Sequence, residues 1–237
     1  MLRINRVSKS FENNKKVLND ITFDINSGEI FGFIGHNGAG KTTLIKSIVG
    51  IHDFDEGEIL INKKSIKSDP IACKKIFAYI PDNPDLYEYL TGIQYLNFIG
   101  DIFKVPQDVR QERIKYYADR FDLEKDIGST IASYSHGMKQ KLAIISALIH
   151  KPKLLILDEP FVGLDPKAAF TLKEIMKEFC ELGGSIFFST HVLEVAEKIC
   201  NRIAIIKGGN IIAYGTTEEV KGNSSLENVF MELIDKN

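Results

Sequence analysis

The sequence predicts an α/β fold: a mainly parallel sheet with flanking helices, an N-terminal antiparallel β subdomain and an inserted helical subdomain. Three observations predict it. Residues 30–34, 154–157, 186–189 and 203–206 are near-continuous apolar runs, the pattern of parallel strands buried on both faces. After Pro152 such runs alternate with longer segments of helical spacing. The run at 30–34 leads straight into a glycine loop that opens a helix.

The elements follow in order. Residues 2–7, 21–25 and 30–34 are β-like, and 58–61 is a short strand after Gly57. A helix is expected over 42–49, and residues 77–80 form another apolar run. The middle is helical: 92–103 carries Ile93, Leu96 and Ile99, and 109–121 carries Ile114, Tyr117 and Phe121, at three- and four-residue spacing. Residues 135–149 continue the helical pattern, and 166–182 and 193–199 are helices between strands. Residues 227–235 read as a short amphipathic helix that packs on the core. The expected organisation is one domain over 1–237. Core and β subdomain occupy 1–81 and 152–237, and the helical subdomain occupies 82–151.

Composition narrows the function. The 237 residues are 44% hydrophobic, enough for a sizeable core. The formal net charge is −2, and lysine pairs such as Lys63-Lys64 are short and scattered, so no nucleic-acid footprint is expected. Cys73, Cys180 and Cys200 have no metal-binding spacing and are expected to be reduced, buried thiols of a cytoplasmic protein. There is no signal-peptide pattern, and no apolar run approaches the roughly 20 residues of a membrane span.

The chemistry begins at Gly35-His36-Asn37-Gly38-Ala39-Gly40-Lys41-Thr42-Thr43, a complete G-x-x-x-x-G-K-[ST] phosphate loop. Strand, glycine loop and helix turn backbone N–H groups inward as an anion nest, and the helix N-terminus adds partial positive charge. Lys41 can reach the β- and γ-phosphates, and the Thr42 hydroxyl can ligate Mg2+. A chance glycine turn would lack this context. The core is thus expected to be that of a P-loop NTPase.

Four apolar runs end in chemically capable residues: the phosphate loop, Pro81-Asp82, Asp158-Glu159 and Ser189-Thr190-His191. In open α/β sheets ligands bind beyond the carboxyl ends of the strands. Phosphoryl transfer is mainly positioning and charge stabilisation. Asp158 is therefore expected to hold Mg2+, Glu159 to act as general base on the attacking water, and His191 to bond the γ-phosphate and hold that water in line. Alone, a histidine is usually structural; its position beside three other strand ends favours the functional role.

These residues resemble the ATP-binding subunits of ABC transporters over nearly the whole chain. The phosphate loop, Tyr134-Ser135-His136-Gly137-Met138-Lys139-Gln140, residues 154–159, Gly163-Leu164-Asp165 and Thr190-His191 occur in the family's order. The middle segment resembles the family's L-S-G-G-Q motif. In that family it is donated across a head-to-tail dimer to the partner's ATP. The resemblance implies that Ser135 and Gly137 bind that nucleotide and that Asp165 links the two composite sites. It also implies that Phe11 stacks on adenine. Asp82 stands where the family has a glutamine that touches Mg2+; it can ligate Mg2+ but adds negative charge. His136 and Met138 depart from the motif, whereas Ser135 and Gly137 keep it, so an active ATPase using ATP and Mg2+ is expected.

Tyr79-Ile80-Pro81-Asp82, the segment from Ser135 to Gln140 and Asp158-Glu159-Pro160-Phe161 are most similar to ABC-2-type exporter ATPases, and among these to the Ecs-type subunits of Gram-positive bacteria. The resemblance implies an ATP-dependent homodimer on the cytoplasmic face of the membrane, driving a separate multi-span membrane subunit. Leu86, Tyr87 and Leu90 are candidates to be exposed and to receive that partner, with packing inside the helical subdomain the alternative for each. Two alternatives remain. A soluble ABC ATPase acting on ribosomes or DNA is disfavoured by one phosphate loop, no long heptads and a mildly acidic charge. A nucleotide kinase would leave the segment from Ser135 to Gln140 unexplained.

Overall fold

In the computed structural model, residues 1–11 and 15–235 are described. Strands β1 (Leu2–Phe11), β2 (Lys15–Ile25), β4 (Glu56–Ile61) and β5 (Lys64–Ser65) form an antiparallel sheet in the order β2-β1-β4-β5. Strands β3 (Ile30–Ile34), β6 (Phe77–Ile80), β7 (Leu154–Asp158), β8 (Ser185–Thr190), β9 (Arg202–Lys207) and β10 (Asn210–Thr216) form the second sheet, in the order β10-β9-β3-β8-β7-β6. Its strands run parallel except β10, which pairs antiparallel on the edge.

The apolar runs are continuous because both faces of this sheet are covered. Alternate residues point to two cores. Phe31, Phe33, Leu154, Ile156 and Phe187 face the antiparallel sheet, where Phe23 stacks on Phe31 at 4.9 Å and on Phe187 at 5.8 Å. Ile30, Ile34, Leu155, Leu157, Ile186 and Phe188 face the other way, against helices. Helix α1 (Lys41–Ile48) fills the first core with Leu44, Ile45 and Ile48. Emptying one such ring site, as in Phe187→Ala, is worth about 3–5 kcal/mol.

Helix α2 (Pro70–Lys74) precedes β6. Between β6 and β7 lie α3 (Gly92–Ile102), α4 (Gln107–Arg120) and α5 (His136–Leu148). A capping box of Thr91 and Gln94 starts α3. Buried Arg110 of α4 ties α3 down, donating to Asn97 O at 3.0 Å and Asp101 Oδ1 at 2.6 Å. Helix α6 (Pro166–Glu181) joins β7 to β8, and α7 (Leu193–Ile199) joins β8 to β9. Helices α8 (Thr217–Lys221) and α9 (Leu226–Asp235) follow β10.

Strands β1 and β2 run further than expected because Lys9, Ser10, Lys16, Asn19 and Asp20 in their outer halves are polar and not buried, which breaks the apolar pattern there. Leu86 corrects an expectation. It is only 7% exposed and belongs to the helix-side core, and Leu90 packs against that core; of the three candidates for the surface only Tyr87 opens to solvent. Cys73, Cys180 and Cys200 are free and buried, and burial pushes the Cys180 thiol up to about 12. Among the described residues no helix is long and apolar enough to cross a membrane.

Candidate active site

The phosphate loop leaves β3 at Ile34 and leads into α1 at Lys41. Within it the Ala39 N–H donates to His36 O at 3.2 Å, and the Gly209 N–H after β9 donates to Ala39 O at 3.1 Å. Gly40 begins α1 at φ 112°, where a Cβ would lie 2.9 Å from Val17 O. Only glycine suits that conformation and that space. No side chain caps α1, so its first N–H groups stand open to an anion. Lys41 is 6% exposed and curls over the loop, donating to Gly35 O at 2.7 Å and His36 O at 3.3 Å.

The parallel register sets Asp158, at the end of β7, beside Ser189 of β8. Ser189 Oγ donates to Asp158 Oδ1 at 2.5 Å. Asp158 is fully buried, and its Oδ2 has no hydrogen-bond partner. Burial pushes this carboxyl above the usual carboxylate range. The Ser189 and Thr42 hydroxyls pull it back, and the charges of Asp82 and Glu159 add to the rise. An unpaired, desolvated carboxylate oxygen beside a threonine hydroxyl suits a hard divalent cation.

Glu159 follows with a left-handed backbone, φ 48°. Its N–H donates to Ser189 Oγ at 3.1 Å and to Ser189 O at 3.3 Å, which offsets the strain. The turn sends its side chain across the strand ends. Oε2 lies 3.0 Å from His191 Nδ1 and accepts from the His191 N–H at 3.3 Å. Oε1 lies 3.3 Å from Lys41 Nζ, an ion pair without hydrogen-bond alignment, so this oxygen is buried with no hydrogen-bond partner. Lysine, glutamate, aspartate, serine and histidine thus meet on one edge, as the strand-end pattern predicts. Ser189, the hub of this network, has a role the sequence signals only by a polar residue closing an apolar strand.

Asp82 lies beyond β6, exposed, its Oδ1 accepting from the Asn83 N–H at 2.9 Å. It is close enough to act electrostatically on Asp158 and on Tyr79. The Tyr79 hydroxyl is pushed up mainly by burial and further by Asp158 and Asp82. Among the described residues no three His, Cys, Asp or Glu side chains are grouped to hold a metal alone. Thr42, Asp158 and Asp82 are the oxygens suited to a cation that takes its other ligands from phosphates and water.

The remaining expected residues form a second group. Ser135 caps α5, accepting from the Met138 N–H at 3.2 Å. A Cβ on Gly137 would lie 2.7 Å from Gly163 O, so glycine is what lets these two loops touch. Asp165 caps α6 through the Ala168 N–H at 2.8 Å, and its Oδ2 lies 3.1 Å from Lys141 Nζ. These contacts, the backbone cap first, hold its carboxyl below the usual range. Buried Gln140, which the motif alone did not mark, reaches Pro160 O at 3.4 Å and ties α5 to the strand end. Phe11 is 44% exposed at the end of β1, its ring edge-on to His52 at 5.7 Å. A cleft of about 1070 Å³, lined by Arg113, Tyr116, Phe179 and Leu182, lies at the opposite, amino-terminal ends of β7 and β8 and shares no residue with either group.

The family model described as ABC transporter matches residues 18–162. The chain belongs to the ABC transporter family. It is an ATP-binding subunit whose ATPase is coupled to transport. It is 36% identical over 222 residues to the ABC-type transporter ATP-binding protein EcsA of Bacillus subtilis, covering 92% of this chain and 90% of that one. The ABC transporter ATP-binding protein YthP of the same organism is 36% identical, covering 92% and 87%. Among solved structures, an ATP-binding subunit of an ABC transporter superposes with a TM-score of 0.94 at 36% identity, covering 99% of both chains. The cbiO1 protein of Clostridium perfringens, part of the complex cbiONQ, gives 0.81 at 26% identity, covering 99% and 94%.

Proposed function

We propose that this ATP-binding subunit powers an exporter from the cytoplasmic face of the membrane, as a head-to-tail homodimer that closes on two Mg-ATP. The observation that carries this is the separation of the two residue groups. Lys41, Asp158, Glu159 and His191 form one connected network, whereas exposed Ser135 and His136 open outward at the start of α5. A site of this kind is completed by a second copy that brings its Ser135 and Gly137 to the γ-phosphate. Mg2+ would be held by Thr42, Asp158 and Asp82 and would neutralise charge on the phosphates. Glu159 accepts the proton of the attacking water, and His191, bonded to it, orients that water. Phe11 is the candidate for stacking on adenine, since its ring is open to solvent.

An aromatic surface supports a membrane partner. Tyr87 and Tyr89 are 47% and 78% exposed and cluster with Tyr95 and Phe98 at 5.6–6.2 Å between ring centres. This patch lies on the segment entered through Asp82, so a helix seated there would act on the nucleotide site directly. The resemblance of residues 79–82, 135–140 and 158–161 to ABC-2-type exporter ATPases supports the exporter direction. The test is to purify tagged Glu159→Gln chain with ATP from detergent-solubilised native membranes and identify what accompanies it. A stoichiometric multi-span membrane protein is expected. Recovery of the soluble dimer alone, or of ribosomes, would overturn the proposal.

A further inference from the structure

Helix α9 meets the phosphate loop from outside. Its anchors fall at residues 226, 230 and 234, spaced by four and therefore on one face. Leu226 is fully buried, and its N–H donates to Glu197 Oε2 on α7 at 2.9 Å. The Phe230 ring stands edge-on to the His36 ring, 5.6 Å between centres and 64° between planes. The Ile234 carbonyl accepts from Lys207 Nζ at 2.7 Å.

Each anchor ends on an element of the active site. Helix α7 follows His191 directly. His36 belongs to the loop, and its carbonyl accepts from both Ala39 N–H and Lys41 Nζ, so it fixes the turn and the lysine together. Lys207 follows Ile206, whose carbonyl lies so close to Gly35 that a Cβ there would be 2.6 Å away. Phe230 and Leu233 also pack on the helix-side core, which gives α9 a rigid seat.

We infer that α9 is a strap that holds the phosphate loop in its phosphate-receiving shape, with Phe230 as a positioning residue for nucleotide binding. A loop already held in shape loses less freedom when the ligand arrives, so the strap acts on affinity and leaves the chemical step alone. Edge-to-face ring pairs are strong enough to shift such an equilibrium about threefold to tenfold. The inference rests on the phosphate loop being the ATP site.

The test is titration of the full chain with a fluorescent ATP analogue, together with steady-state hydrolysis. Phe230→Ala is expected to weaken binding and raise KM about threefold to tenfold, with kcat changed less than twofold. Phe230→Leu, which keeps the volume without the ring, is expected to weaken binding likewise, and Phe230→Tyr to restore it. Adding His36→Ala to Phe230→Ala is expected to cost little more, because both remove one contact. Unchanged affinity in Phe230→Ala and Phe230→Leu overturns the strap, as do losses at His36 and Phe230 that add in full. If Phe230→Ala does not fold, equal affinities of the Leu and Tyr variants overturn it. Lys41→Ala is the control. If it abolishes binding, the site stands and the Phe230 result bears on the strap alone. If it leaves binding unchanged, the site falls and the strap falls with it.

Discussion

The two residue groups differ in how completely the chain itself builds them. At the ends of β3, β7 and β8 the candidate side chains Lys41, Asp158, Glu159 and His191 have partners within the chain. Lys41, Glu159 and His191 form a chain of contacts, Ser189 holds Asp158 and the Glu159 backbone, and burial screens all of these but His191 from water. At the start of α5 the functional side chains serve mainly to shape backbone. Ser135 caps, Gly137 makes room, and Asp165 caps the neighbouring helix. Under the proposed function one region performs chemistry and must be prearranged. The other presents N–H groups and needs only a fixed helix start and an open approach.

The contrast can be broken by experiment, beginning with the largest effect. Glu159→Gln should slow phosphate release about 100- to 10,000-fold and accumulate an ATP-bound dimer by light scattering. Normal turnover would remove Glu159 from the role of base. Lys41→Ala should weaken ATP binding at least about tenfold by equilibrium titration, the scale of a lost charge-assisted contact. Unchanged binding would mean the loop is not the nest. Gly137→Ala must push Gly163 away, so hydrolysis and dimer formation should fall about tenfold while the isolated chain binds ATP within about twofold of the parent. Equal losses of binding and dimer would show that the two regions are one.

The smallest effect is on stability. Burial raises the Asp158 carboxyl above its unfolded value. The native chain then binds the proton more tightly than the unfolded one. This contribution favours folding below the ordinary carboxylate range and is lost as pH rises through the raised value. Asp158→Asn should therefore raise the stability of the nucleotide-free chain at neutral pH and remove that part of the pH dependence, while hydrolysis collapses. Thermal melts between acid and neutral pH test it; a destabilised variant would show that the Ser189 contact outweighs burial.

The sheet was legible because its strands are buried on both faces, which leaves unbroken apolar runs at β3, β7, β8 and β9. Strand β10 was not, since it lies on the edge and none of its residues is buried. Helix α2 is too short for periodicity to register. Helix α8 was missed although Thr216 and Glu219 form a capping box, a signal present in the sequence. The strand-end residues were found because each chemical group follows an apolar run. What the sequence did not yield were contacts made by folding: the hub at Ser189, the pairing of Lys41 with Glu159 and the seat of Phe230 on His36. These join segments far apart in the chain, and no local spacing encodes them.

The pairing of Lys41 with Glu159 has a consequence for how nucleotide affinity is understood. The ammonium is already engaged by two carbonyls and a carboxylate before any phosphate arrives. If Lys41 receives phosphate as proposed, binding is an exchange of partners, and the affinity is a difference between a new contact and an old one. The resting protein competes with its own ligand. Neutralising residue 159 removes one competitor, so Glu159→Gln should hold nucleotide more tightly from the first encounter, apart from any loss of turnover. A nonhydrolysable analogue separates the two. Tighter binding of the analogue to the variant measures the competition, and equal binding assigns all of the retention to the missing base.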